Sequence, residues 1–336
     1  MSTDLRTALA ALHKADLHRH LEGAVRPGTV AEICRAHRIE LPTYDTDDLS
    51  ALIRLSRPAD DLDGFFLPFR IIKLCFVDKK AVARIAYEAV EDAWRDNVRY
   101  LELRFSPEFM AFHRRLALTD VMDGIVEGVG LAARRYPVAV NLIVSISRHL
   151  SSKTMGVPWP SPEEIARLAL DYADRGVVGL DLSGRESGFP PEMFAEPFAM
   201  ARRAGLGITV HAGEEDGPES IRGAIEHLGA ARIGHGVRIV QDADVLRLAV
   251  DRGVTLEICP TSNVLTRAVE SLESHPVRRL YESGVPITVN TDDPTVCGVT
   301  LTDEYALIIE KFGFTLAEIE KLIETARQAA FSRRLE

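Results

Sequence analysis

Cysteine is scarce in this chain of 336 residues, and the four present stand far apart: Cys34, Cys75, Cys259 and Cys297, with no C-x-x-C pair. That excludes a thiolate zinc knuckle and a dense disulfide framework, and it leads us to expect reduced thiols in a cytoplasm. Long apolar runs are missing as well. The longest of interest, Val138–Ile146, is broken by Asn141. It falls far short of the about 20 residues that cross a bilayer, so no membrane association is expected. No basic start followed by an apolar stretch and a small-residue cleavage site stands at the N-terminus, so no secretory leader is expected. Positive charge is in deficit: 40 Lys and Arg face 50 Asp and Glu, a formal charge of −10. Phosphate backbones need concentrated cations, so nucleic acid is not an expected partner. Neither G-x-S-x-G nor G-x-x-x-x-G-K-[ST] occurs, which removes serine-hydrolase and P-loop chemistry. The H-x-E…P-C-x-x-C signature of zinc enzymes acting on nucleic-acid bases is also absent, because Cys259 precedes Pro260 and no second Cys follows.

What is present is an alternation of short apolar, β-branched runs with amphipathic stretches. Strands are expected at Val98–Phe105, Val138–Ile146, Val177–Leu182, Gly207–Val210, Ala231–His235, Val254–Cys259 and Val285–Asn290, with a short earlier one at Ala15–Leu17. Helix starts lie between them at Thr119, Ser161-Pro162 and Gln241-Asp242. Near-continuous apolar strands alternating with helices describe a parallel sheet covered by helices. Eight such units suit a closed (β/α)8 TIM barrel better than an open doubly wound sheet, since no G-x-G-x-x-G turn follows the first strand. We expect one domain, residues 1–336. Residues 26–97 are too long for a βα loop and are read as a helical insertion with helices at Gly28–His37, Asp48–Leu55, Leu62–Cys75 and Lys79–Asp96. Leaving directly after the first strand, this α/β barrel's insertion is expected to cap the C-terminal mouth, where barrel enzymes work.

Titratable groups track the C-terminal ends of the strands: His18, His20 and Glu22, then Arg104, Asp181, His211 with Glu214, His235, and Asp292 with Asp293. Side chains at that end of a barrel meet at one mouth. In an extended segment His18 and His20 face the same side, and with His211 and Asp292 they form a candidate four-ligand site. Three imidazoles and a carboxylate suit one Zn²⁺, with iron or manganese as alternatives. No Lys or Glu ends the fourth strand to bridge two ions, so one ion is expected. Glu214, three residues past a candidate ligand, is placed to handle protons, and His235 lies in the same neighbourhood. The adjacent carboxylates Asp292 and Asp293 are costly together unless a cation or a shared proton relieves them.

The set His18-Arg-His20-Leu-Glu22-Gly23, Tyr100-Leu-Glu-Leu-Arg104-Phe-Ser106-Pro107, Leu180-Asp-Leu-Ser-Gly184, His211-Ala-Gly-Glu214, Arg232-Ile-Gly-His235-Gly236, Thr261-Ser-Asn263 and Asn290-Thr-Asp-Asp-Pro294 resembles the adenosine deaminase family, its bacterial members most closely. The motifs run in order from about Lys14 to Phe331. The resemblance implies a zinc aminohydrolase acting on a small purine nucleoside: His18, His20, His211 and Asp292 on the metal, and water attacking C6. Glu214 would protonate N1, and His235 would orient the hydroxide and, with Asp292, take up its proton. Asp293 would meet N7 and the N–H of Gly184 would meet N3, while Glu22 would contact the ribose.

Two positions depart from the family pattern. Glu22 stands where members acting on adenosine usually carry Asp, and Arg185 stands where an acidic residue is usual. Arg185 could receive a substrate carboxylate, or pair with Glu186 or solvent. Adenosine is the first expectation, followed by 6-aminodeoxyfutalosine and free adenine. A binuclear barrel hydrolase and a catalytically silent purine binder remain as readings of other classes.

Overall fold

The computed structural model describes residues 3–149 and 159–331. Eight parallel strands follow one another in sequence order: β1 (Lys14–His20), β2 (Val98–Phe105), β3 (Ala139–Ser147), β4 (Val177–Ser183), β5 (Gly207–Ala212), β6 (Arg232–His235), β7 (Thr255–Ile258) and β8 (Ile287–Val289). Just beyond β8 the backbone returns to β1. The His20 N–H donates to the Asp292 carbonyl at 2.8 Å, and the Asp292 N–H donates to the His18 carbonyl at 2.8 Å. These bonds nearly close the sheet into the expected TIM barrel, with helices around it.

From Val98 onward the expected strands form with ends shifted by no more than two residues. The first does not. The expected stub Ala15–Leu17 runs instead from Lys14 to His20. Its polar second half has no apolar signal to mark it as strand. It stays extended because its backbone is paired on both sides, to β2 and to the segment at Asp292. His18 and His20 are thus strand residues rather than loop residues. That gives their imidazoles a rigid base.

The expected helix Leu62–Cys75 is also broken, into Leu62–Phe65, Phe69–Ile72 and a 3₁₀ turn at Lys73–Cys75. Pro68, between the first two pieces, cannot continue the hydrogen-bond ladder. The broken segment lies over the mouth, where Leu62, Phe65, Phe66 and Phe69 form one wall of the central cavity. Two other helix starts behave as read: Ser161 closes a capping box with Glu164, and Asp242 accepts from the N–H groups of Asp244 and Val245. At Thr119 the helix instead begins at Leu118, with no side-chain cap. Among the described residues, no helix is long and apolar enough to cross a membrane.

The last helix of the inserted stretch, Lys79–Arg95, packs outside the barrel against Leu118–Arg135. Glycine permits the approach: a Cβ on Gly128 would lie 2.0 Å from the Ala83 carbonyl oxygen, whereas one on Gly130 would meet only Arg134 Nη1, at 3.7 Å. The two alanine substitutions therefore differ in sign. Gly130→Ala gains about 0.5–1 kcal/mol of helix propensity. Gly128→Ala is set back by about 1–3 kcal/mol of overpacking. Thermal unfolding checks this, and equal midpoints for the two variants would contradict it.

Candidate metal centre and active site

A cavity of about 530 Å³ opens at the C-terminal mouth, lined by His20, Glu22, Gly184, His211, Glu214, His235, Asp292 and Asp293 together with the aromatic wall. One nitrogen each from His18, His211 and His235 and one oxygen of Asp292 lie within 4.8 Å of one another. His20 joins from the side: its Nε2 is 3.1 Å from His211 Nε2 and 3.4 Å from Asp292 Oδ1. The four residues singled out by spacing thus converge. The tightest cluster, however, carries His235 in place of His20.

Buried carboxylates fix how two of these rings point. Glu257 Oε2 stands 2.8 Å from His18 Nδ1, and Asp181 Oδ1 stands 3.0 Å from His211 Nδ1. A carboxylate there accepts the Nδ1 proton and leaves Nε2 with a lone pair directed at the mouth, the arrangement that orients metal-binding histidines. His18 Nε2 is buried and, among the described residues, finds no hydrogen-bond partner; Asp292 Oδ1 lies 3.2 Å from it. Buried polar atoms rarely stay unsatisfied. A bare imidazole nitrogen, two facing Nε2 atoms 3.1 Å apart and a carboxylate make a donor set that fits a divalent cation.

The carboxylates themselves are anchored below the mouth. Arg104 Nη2 reaches Glu257 Oε2 at 2.7 Å, Arg232 Nε reaches Glu257 Oε1 at 2.5 Å, and Arg232 Nη2 pairs with Glu102. Burial alone would raise the Glu257 and Asp181 carboxyls. Arg104 and Arg232 hold Glu257 well below the usual carboxylate range, and His211 with Arg104 lower Asp181. The barrel interior here is a charged layer rather than the usual apolar one.

On the other side of the cluster, burial with the neighbouring charges of Asp292 and Glu186 pushes the Glu214 carboxyl up to about 8. Its Oε2 lies 3.5 Å from His235 Nε2. The adjacent pair splits. Burial would raise Asp292, but its contacts with His18, His235 and His20 keep it well below the usual range. Burial and the Asp292 charge push Asp293 well above it. Asp293 is admitted by Gly23, where a Cβ would fall 1.8 Å from Asp293 Oδ1. His235 and Asp292 both hold the left-handed backbone, at φ 62° and 60°. That costs about 1–3 kcal/mol each and is characteristic of sites whose geometry matters more than their relaxation.

Glu22 opens a 3₁₀ turn after β1, where its Oε1 accepts the Ser106 N–H at 2.7 Å; burial pushes this carboxyl up to about 8. Gly184 takes φ +84°, and a Cβ there would strike the His149 ring at 2.7 Å. Arg185 pairs neither with Glu186 nor with solvent alone: its Nη2 meets Asp63 Oδ2 of the capping segment at 2.5 Å. Glu186 is buried instead. Its carboxylate accepts the N–H groups of Gly213, Glu214 and Glu215 at 2.8–2.9 Å, clamping the loop that carries Glu214. From sequence, Glu186 is named only as a possible partner of Arg185, and neither Glu257 nor His275, buried beyond the mouth, is singled out. A carboxylate inside the apolar run Val254–Cys259 was a usable signal for Glu257, because a charge there demands a partner. Nothing local marks the other two.

Comparison with known proteins agrees with this geometry. The family model for adenosine deaminase matches residues 13–334. An adenosine deaminase of Pectobacterium atrosepticum is 38% identical over 330 residues, covering 98% of this chain and 94% of the relative. A probable adenosine deaminase of Dictyostelium discoideum is 34% identical over 320 residues, and this chain spans 40% of that longer protein. A zinc-bound amidohydrolase structure from Burkholderia ambifaria superposes with a TM-score of 0.86 at 26% identity, covering 99% of this chain and 90% of that one. With the strand-end motifs on one barrel mouth and the family match along almost its whole length, this chain belongs to the adenosine deaminase family and is an aminohydrolase.

Proposed function

We propose that the protein deaminates adenosine, and 2'-deoxyadenosine, to inosine and ammonia, with one Zn²⁺ per chain held by His18, His20, His211 and Asp292. The observation that carries this reading is the Glu214 carboxyl, 3.5 Å from His235 Nε2 beside the imidazole cluster, in a cavity roomy enough for a purine nucleoside. The bacterial relative named adenosine deaminase supports the substrate, and the zinc-bound structural neighbour supports the ion. A bound Zn²⁺ supplies water activated for attack at purine C6.

The chain's own groups do the rest. Glu214, protonated at neutral pH, donates to ring N1 and makes C6 electrophilic. His235 Nε2 sits between Glu214 Oε2 and Asp292 Oδ2, at 3.5 and 3.9 Å, and orients the attacking oxygen. Asp292 Oδ2 is placed to take that oxygen's proton. Asp293, its carboxyl pushed up by burial and the Asp292 charge, meets N7, and the Gly184 N–H donates to N3. Glu22 meets the sugar. The C6–N bond breaks as the amine leaves with a proton, giving ammonia and a 6-oxopurine.

Arg185 is already engaged with Asp63, so a substrate carboxylate would have to displace an ion pair to use it. This favours adenosine over 6-aminodeoxyfutalosine. Four buried free thiols agree with a cytoplasmic setting. Specificity constants measured side by side for adenosine, 2'-deoxyadenosine, adenine and 6-aminodeoxyfutalosine should rank adenosine first. Absence of ammonia from every 6-aminopurine would reject the reading. Glu22→Asp should change the ranking while leaving metal content intact.

A further inference from the structure

His235 differs from His18 and His211, whose Nδ1 atoms face carboxylates. Its Nδ1 lies 2.9 Å from Asn263 Nδ2, and Asn263 Oδ1 lies 3.2 Å from His275 Nε2. The far end of this line is a backbone group: the Val277 N–H donates to His275 Nδ1 at 3.1 Å. All three side chains are buried, Asn263 completely.

An amide N–H can only donate, and that fact sets the polarity of every link. His275 Nδ1 accepts, so the proton of the neutral His275 ring is on Nε2, which donates to Asn263 Oδ1. The Asn263 amide then directs its NH₂ at His235 Nδ1, which must accept. The flipped amide is excluded, because it would turn NH₂ toward His275 Nε2. His275 would then have to accept at both nitrogens, which a neutral ring with one N–H cannot do. Burial pushes the His275 imidazole down to about 4, in keeping with a neutral ring, and His235 Nδ1, facing a donor, carries no hydrogen.

We infer that His275 and Asn263 are positioning residues which, anchored on the Val277 N–H, hold His235 as the tautomer protonated at Nε2. This rests on the function proposed above and deepens it. With Nε2 carrying the hydrogen, His235 offers no lone pair to a metal despite its place in the geometric cluster, which leaves His20 as the third imidazole ligand. It meets the attacking oxygen as a hydrogen-bond donor, aimed from between Glu214 and Asp292.

The test is polarity reversal. Asn263→Asp keeps the shape and still accepts from His275, but presents an oxygen to His235 Nδ1 and draws the proton there. Nitrogen NMR on the full chain labelled with ¹⁵N-histidine reads the ring directly, with the His235 signal assigned by its loss in His235→Gln. The wild-type protein, with and without zinc, should show a protonated Nε2 and a bare Nδ1. Asn263→Asp should protonate Nδ1 and lower kcat by about 10²–10⁴-fold, the scale of a wrong catalytic tautomer, with KM and zinc content nearly unchanged. His275→Phe, which frees the amide to rotate, should give mixed tautomers and a smaller loss. It decides the matter if Asn263→Asp does not fold. A wild-type His235 protonated at Nδ1, or an Asn263→Asp enzyme with wild-type kcat, would overturn the inference. A wild-type protein that releases no ammonia would instead sink the proposed function and leave the tautomer assignment standing.

Discussion

Removing the metal by chelation, or replacing His211 by alanine, is expected to lower kcat by about 10⁴-fold or more. Water free in solution ionises only at strongly alkaline pH, and a bound divalent ion lowers its pKa to about 7, so at neutral pH the supply of nucleophile depends on the ion. The two routes should differ in reversibility. Chelated wild-type protein regains activity when Zn²⁺ is returned, because Glu257 and Asp181 still hold the His18 and His211 rings in place. His211→Ala does not, since it removes a donor and leaves the buried Asp181 carboxylate without its imidazole partner. Metal per chain and initial rate, measured on the same samples, check both. Full activity in protein shown to be free of metal would rule the centre out.

Glu214→Gln is expected to lower kcat by about 10²–10⁴-fold, the usual value of a positioned general acid. Gln has nearly the same shape, so KM and metal content should change little. The pH dependence carries a sign. The proton-donating form of Glu214 is the active one, and with its carboxyl pushed up to about 8, kcat/KM should fall as pH rises through about 8. Gln does not titrate there, so the alkaline limb should vanish in the variant. A limb that persists unchanged in Glu214→Gln would assign it to another group and remove Glu214 from the acid role.

Much of the architecture is legible because parallel barrel strands are buried on both faces and must be written in apolar, β-branched residues. VRYLELRF at β2 could be placed to the residue. β1 could not, since KADLHRH is held in strand form by neighbours rather than by its own composition. The broken capping helix shows the same limit. The sequence reads as one helix over Leu62–Cys75, and only the backbone path shows it divided at Pro68, where its phenylalanines turn to the cavity. At the mouth, the residues that line the cavity from strand ends could be named from the chain. The groups behind them could not. Glu257 is 239 positions from the histidine it orients, and His275 reaches His235 only through Asn263.

Sequence alone therefore determined the parts: eight strands, a mouth with histidines and carboxylates at their ends, and membership in a family of deaminases. Those are properties of local periodicity and of motifs in order, and local chemistry writes them into the chain. Tertiary structure decided polarity: which nitrogen of each imidazole faces the mouth, which carboxyl burial pushes up and which its partners hold down, and that Arg185 is tied to Asp63. Proton positions depend on hydrogen-bond partners and on burial. Both exist only once strands distant in sequence have been brought side by side.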